Sequence, residues 1–87
     1  MTTRKIDYAE VIALAKRYGF EENVEMGGAY FSRELANGDT LLINNGEYAD
    51  YPETPESYIE WAVVGGDDDS LKETGKYSSF RKFLESL

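Results

Sequence analysis

Residues Phe31–Asn44 read Phe-Ser-Arg-Glu-Leu-Ala-Asn-Gly-Asp-Thr-Leu-Leu-Ile-Asn, and their reading decides the fold. Two runs of β-forming residues, 31–35 and 40–44, flank Asn37-Gly38-Asp39. An Asn-Gly pair between such runs signals a tight hairpin, because both residues tolerate the positive φ angles that match the strands' twist. A hairpin makes the pair antiparallel, so the chain is expected to build outward from it as an antiparallel sheet.

Towards the N-terminus, Val24, Met26, Tyr30 and Phe31 with intervening polar residues predict a strand starting near Glu22, disturbed by a bulge or bend at Gly27-Gly28. Before it, Tyr8, Val11, Ile12, Ala15 and Tyr18 recur at three- and four-residue spacing, which predicts an amphipathic helix over 7–18. Asp7-Tyr8-Ala9-Glu10 has the form of a capping box, Lys16 and Arg17 complement the helix dipole, and Gly19 follows as the stop.

Towards the C-terminus, Asn44-Asn45-Gly46 marks a turn, and Tyr48–Pro55 is expected to be a loop or edge segment. Tyr58–Val64 is rich in β-formers and places Ile59, Trp61 and Val63 on one face, so a strand is expected there rather than a helix begun at Thr54-Pro55. Gly65–Ser70 reads as a hairpin loop, and 71–77 as an edge strand protected by Lys72 and Lys76. Ser78 or Ser79 caps a last helix through Phe80, Phe83, Leu84 and Leu87.

The expected fold is α+β, in the order α-β-β-β-β-α, an antiparallel sheet with two helices packed on one face, and residues 1–87 form one domain. The predicted core is Val11, Ile12, Ala15, Tyr18, Phe31, Leu41, Ile43, Ile59, Trp61, Val63, Phe80, Phe83 and Leu84. The second sheet face is left open to solvent and partners.

Composition narrows the chemistry. A chain of 87 residues buries only about 60% of the surface its unfolded form exposes. It has no histidine and no cysteine, which removes the commonest general base, the thiol nucleophile, disulfides and zinc–thiolate sites. Ser78 and Ser79 have no histidine base. Carboxylate-pair hydrolysis needs a cleft that so small a sheet hardly offers. The Gly65–Ser70 loop lacks the spacing of a calcium loop, and Gly27-Gly28 lacks that of a phosphate loop. The expectation is a protein without catalytic residues, metal or cofactor. No stretch reaches the roughly 18 apolar residues of a membrane helix, and the first residues do not read as a signal peptide, so a cytoplasmic location is expected.

The net charge of −8 is unevenly placed. Between Arg33 and Lys72 there are ten acids (Glu34, Asp39, Glu47, Asp50, Glu53, Glu56, Glu60, Asp67, Asp68, Asp69) and no base, and the remainder sums to +2. A solvated acidic surface explains the totals. Segregation points instead to a binding surface, since charge serving only solubility is better mixed in sign. Tyr48 and Tyr51 lie among Glu47, Asp50 and Glu53 with no apolar periodicity, a setting suited to capturing arginine. Carboxylates on one strand face recur every 6.6–6.8 Å or so, close to the separation of successive phosphates. Such a surface repels nucleic acid and membrane itself and suits the Lys/Arg-rich surface of a nucleic-acid-binding protein. The expected partner-binding residues are Glu47, Tyr48, Asp50, Tyr51, Glu53, Glu56, Glu60, Asp67, Asp68 and Asp69.

The acidic middle with Tyr30-Phe31, then Asn37-Gly38-Asp39-Thr40-Leu41-Leu42-Ile43, then Tyr48, between terminal helices, resembles the small acidic phage proteins that inhibit CRISPR–Cas complexes. The resemblance is one of size, charge and layout over most of the chain. It implies a DNA-mimic anti-CRISPR acting in the bacterial cytoplasm on a Cas complex where target DNA enters; the +2 remainder departs from the uniformly acidic members. One other function fits the same charge, an immunity protein neutralising a basic nuclease toxin; a third, independent of the charge, is a structural or adaptor domain whose partner binds an open strand edge.

Overall fold

A helix, five strands and a short helix follow one another along the chain: α1 (Ala9–Arg17), β1 (Glu21–Glu25), β2 (Gly28–Glu34), β3 (Thr40–Asn44), β4 (Ile59–Val64), β5 (Leu71–Tyr77) and α2 (Phe80–Glu85). The computed structural model describes residues 8–25, 28–46 and 50–87. The strands form one sheet in the order β1-β2-β3-β4-β5, every neighbouring pair antiparallel. The α+β class, the antiparallel sheet and the terminal helices are as the sequence predicts.

One predicted strand resolves into two. Glu25 pairs with Gly28 and Glu21 with Ser32, so the segment read as a single interrupted strand is a hairpin joined by residues 26 and 27. β1 holds a single apolar residue, Val24, and it is exposed, so the reversal shows in the strand pairing and not in the apolar pattern. The predicted irregularity at Gly27 lies outside the described residues, as does Asp7, the predicted cap; α1 instead begins after Tyr8, which makes no side-chain capping hydrogen bond.

Local signals set the helix ends. Gly19, at φ +84°, lets the chain reverse after α1. Its N–H donates to the Lys16 carbonyl at 3.0 Å and the Phe20 N–H to the Ala15 carbonyl at 3.0 Å, the paired bonds of a Schellman stop. Phe20 turns into the core. The Arg33 guanidinium donates to the Tyr18 carbonyl at 3.0 Å and lies 5.6 Å from the Phe20 ring centroid, tying this helix end to β2. Ser79 caps α2, accepting from the Lys82 N–H at 3.3 Å; its hydroxyl also donates to the Pro55 carbonyl at 3.3 Å.

Both helices cover the same sheet face. Val11, Leu14 and Ala15 of α1 and Phe80, Phe83 and Leu84 of α2 form one buried cluster with Ala29, Phe31, Leu41, Ile43 and Ile59 of the sheet. Phe31 stacks between Tyr51 (centroids 4.4 Å apart) and Phe80 (5.7 Å). Nine of the predicted core residues are buried, and Ile12, Tyr18, Trp61 and Val63 pack against them half-buried. Leu14, Phe20, Ala29 and Tyr51 complete the core.

On β5, Gly75 stands opposite Trp61, and a side chain there would run into the Trp61 indole. The absent side chain lets the indole lie over the backbone, 6.0 Å from the Phe83 ring centroid. The opposite face of the sheet carries Asn44, Glu60 and Lys76 in one cross-strand row and Leu42, Ala62 and Thr74 in the next. It is open and shallowly grooved.

Candidate functional site

The acidic residues fall at two ends of the sheet. β4 runs between them, and its six residues separate the ends by about 17 Å.

At one end stand the β2–β3 turn and the β4–β5 loop. Asp39 is nearly fully buried for a carboxylate, 7% exposed. Its two oxygens accept from Lys72 Nζ at 3.1 and 3.2 Å, and Oδ2 also accepts from Asn37 Nδ2 at 3.0 Å. The Lys72 ammonium, joined by the Gly66 N–H and the Asn37 amide, holds its carboxyl below the usual aspartate range. Gly66 presses against the Gly38 carbonyl so closely that a side chain there has no room. The turn and the loop are therefore one braced unit.

On that unit the β4–β5 loop closes on itself: the Gly65 N–H donates to the Ser70 carbonyl at 2.8 Å and the Asp69 N–H to the Gly65 carbonyl at 3.1 Å. Asp68 accepts from the Ser70 N–H at 3.1 Å and from its hydroxyl at 2.9 Å, and these bonds lower its pKa. Asp69 sits at φ +56°, a conformation aspartate tolerates better than most residues. Asp67, Asp68 and Asp69 are exposed, and none pairs with a cation among the described residues. Three charges are thus held at the tip of a fixed loop.

At the other end, residues 50–58 pass under the sheet. The Asp50 carboxylate is turned inward, accepting from the Tyr51 N–H at 2.7 Å and the Tyr8 hydroxyl at 3.4 Å. Tyr51 corrects the sequence reading: it is 6% exposed, stacked on Phe31 and set edge-on to Tyr8 at 5.5 Å, so its ring is core and closed to a partner. Burial, reinforced by the Glu22 and Asp50 charges, pushes its phenol pKa up. Glu53 is exposed. Glu56 forms an ion pair with Arg81 at 3.0 Å. Glu60 lies on the open face, accepting from the Tyr58 hydroxyl at 2.9 Å, across from Lys76. Glu47 and Tyr48 lie outside the described residues.

Folding therefore undoes part of the charge segregation seen along the chain. Lys72 and Arg81, both beyond the acidic interval, return to Asp39 and Glu56. The structure brings Asp67, Asp68 and Asp69 together, sets Glu53 and Glu56 at the far end, and leaves Glu60 between them. Sequence reasoning missed the bracing role of Asp39; its place in the Asn-Gly-Asp turn carried the only signal. Among the described residues no group of carboxylates is arranged to hold a metal ion, and no helix is long and apolar enough to cross a membrane. No protein-family model, curated protein sequence or solved structure matches this chain.

Proposed function

We propose that this chain is a non-enzymatic inhibitor that occupies the Lys/Arg-rich, nucleic-acid-binding surface of a bacterial protein by charge, as a phage anti-CRISPR acting on a Cas complex does. The observation that carries the proposal is the Asp67–Asp69 loop. Its carboxylates are exposed, unpaired with cations among the described residues, and braced from below by Asp39 and Lys72. A fixed cluster of like charge costs little ordering on binding and steers a basic partner from a distance. Asp39 and Glu56 are engaged within the molecule and contribute less to that field, so the binding charge is concentrated at the loop end, with Glu53 as a second point.

The test uses a purified Cas surveillance complex and its target duplex. Inhibition of duplex binding should weaken steeply as salt rises, and excess duplex should displace the inhibitor. Replacing Asp67, Asp68 and Asp69 together with lysine should cost more than tenfold in inhibition and leave the melting temperature nearly unchanged. Inhibition that survives that replacement at every salt concentration contradicts the proposal. The same titration against a basic nuclease encoded beside the gene distinguishes the Cas target from a toxin target.

A further inference from the structure

β5 is the last strand of the sheet, and its outer side pairs with no other strand. Proteins blunt such an edge with a covering helix or loop, a proline, or lysines projecting from the strand. β5 contains no proline. Six of its seven residues are exposed, so neither helix nor loop lies over it among the described residues. Lys72, expected to guard the edge, is drawn back onto Asp39, and Lys76 stands opposite Glu60 on β4. The backbone of this edge is therefore open to a further strand.

Charge along the edge selects the strand that fits. Residues 67–73 hold four acids and one base, a sum of −3, and residues 76–85 hold three bases and one acid, a sum of +2. The loop Asp67–Asp69 leads into the start of β5, and α2 follows its end. Antiparallel pairing lays the start of each strand beside the end of the other. Two copies joined through β5 thus bring the negative end to the positive end twice. At physiological salt, exposed charges more than about 8 Å apart are largely screened, so this local pattern outweighs the net −8 of each copy.

The register follows from the same residues. β5 pairs regularly with β4 over Glu73–Tyr77, and the register shifts at Val63/Val64 just before it. A two-fold axis at Gly75 uses that whole stretch. It sets Glu73 opposite Tyr77 of the second copy and Thr74 opposite Lys76, with no like charges opposed. An axis at Thr74 would oppose Lys72 to Lys76, and one at Glu73 would oppose that carboxylate to itself. The other edge, β1, has three glutamates in five residues, and pairing about Asn23 would oppose Glu21 to Glu25.

We propose that β5 pairs with β5 of a second copy, antiparallel about Gly75, joining two five-stranded sheets into one of ten strands with a closed two-fold interface. The proposal does not rest on the charge-based function above, and its test reads mass and exchange rather than inhibition.

Sedimentation equilibrium of the intact protein at about 0.15 M salt, over a series reaching about 1 mM, should show a dimer. Amide exchange at residues 73–77 should slow as concentration rises. One variant carries Asp67→Lys, Asp68→Lys and Asp69→Lys, and a second carries Lys76→Glu and Lys82→Glu. Each alone should dimerise more than tenfold more weakly, since like charges then meet. An equimolar mixture of the two should recover association, because every loop again faces opposite charge; recovery also shows that both variants fold. The chain has no cysteine, so the register can be read directly. Thr74→Cys mixed with Lys76→Cys should form an intermolecular disulfide several-fold faster than Thr74→Cys alone. A monomer throughout the series overturns the proposal. So does a dimer that both charge variants keep, or one that leaves exchange at 73–77 unchanged.

Discussion

Asp39 and Tyr51 show how strongly a residue's role depends on what the fold sets beside it. Asp39 is marked in the sequence only by its place in the Asn-Gly-Asp turn, yet it joins two loops through Lys72, Asn37 and Gly66. Its folded pKa is lowered, so its contribution to stability is present above the unfolded aspartate value of about 3.9 and is lost as pH falls through the lower folded value. Asp39→Asn is expected to destabilise the protein at pH 7, with the gap from the parent protein narrowing towards pH 3; urea unfolding at the two pH values measures it. Tyr51 makes the opposite case. Its hydroxyl is buried without a hydrogen-bond partner among the described residues, and such a group carries a desolvation cost of about 1–3 kcal/mol. Tyr51→Phe keeps the stack on Phe31, so stability should hold or rise by about 1 kcal/mol, with partner binding unchanged. Its raised phenol pKa means that the stability it supports is full below the ordinary tyrosine value of about 10 and lost as pH climbs through the folded one.

At the scale of elements, the strongest local signals proved sufficient. The Asn37-Gly38-Asp39 turn, the Gly19 stop and the Ser79 cap each act within a few residues, and the sequence spacing around them reports the helices and the β2–β5 strands. Ser79→Ala should cost about 1 kcal/mol, read as a lower chemical-denaturation midpoint, while Ser78→Ala should cost far less. The β1–β2 hairpin was not legible, because β1 holds one exposed apolar residue, Val24, and leaves no apolar pattern to mark a separate strand; only its pairing with β2 reveals the reversal. Gly75 depends on a contact across strands: its bare backbone receives the Trp61 indole. Gly75→Val should displace that ring from Phe83, seen as a red shift of tryptophan emission with loss of stability.

At the scale of the molecule, a charge count along the chain and a charge map of the surface differ because the cations at positions 72 and 81 return to acids far away in sequence. The positions of Asp67–Asp69 in a hairpin loop could be read from Gly65-Gly66 and the flanking strands. Their bracing could not, since it needs the β2–β3 turn to lie beside them. What survives folding is a short acidic loop on a fixed base rather than a negative stripe across the sheet. The most direct measurement is the affinity for a purified Cas surveillance complex across a salt series, for the parent protein and for the variant with Asp67, Asp68 and Asp69 replaced by lysine. Charge-based blocking predicts steep loss of parent affinity with salt and more than tenfold weaker binding by an equally stable variant. Binding that ignores both salt and the replacement contradicts it.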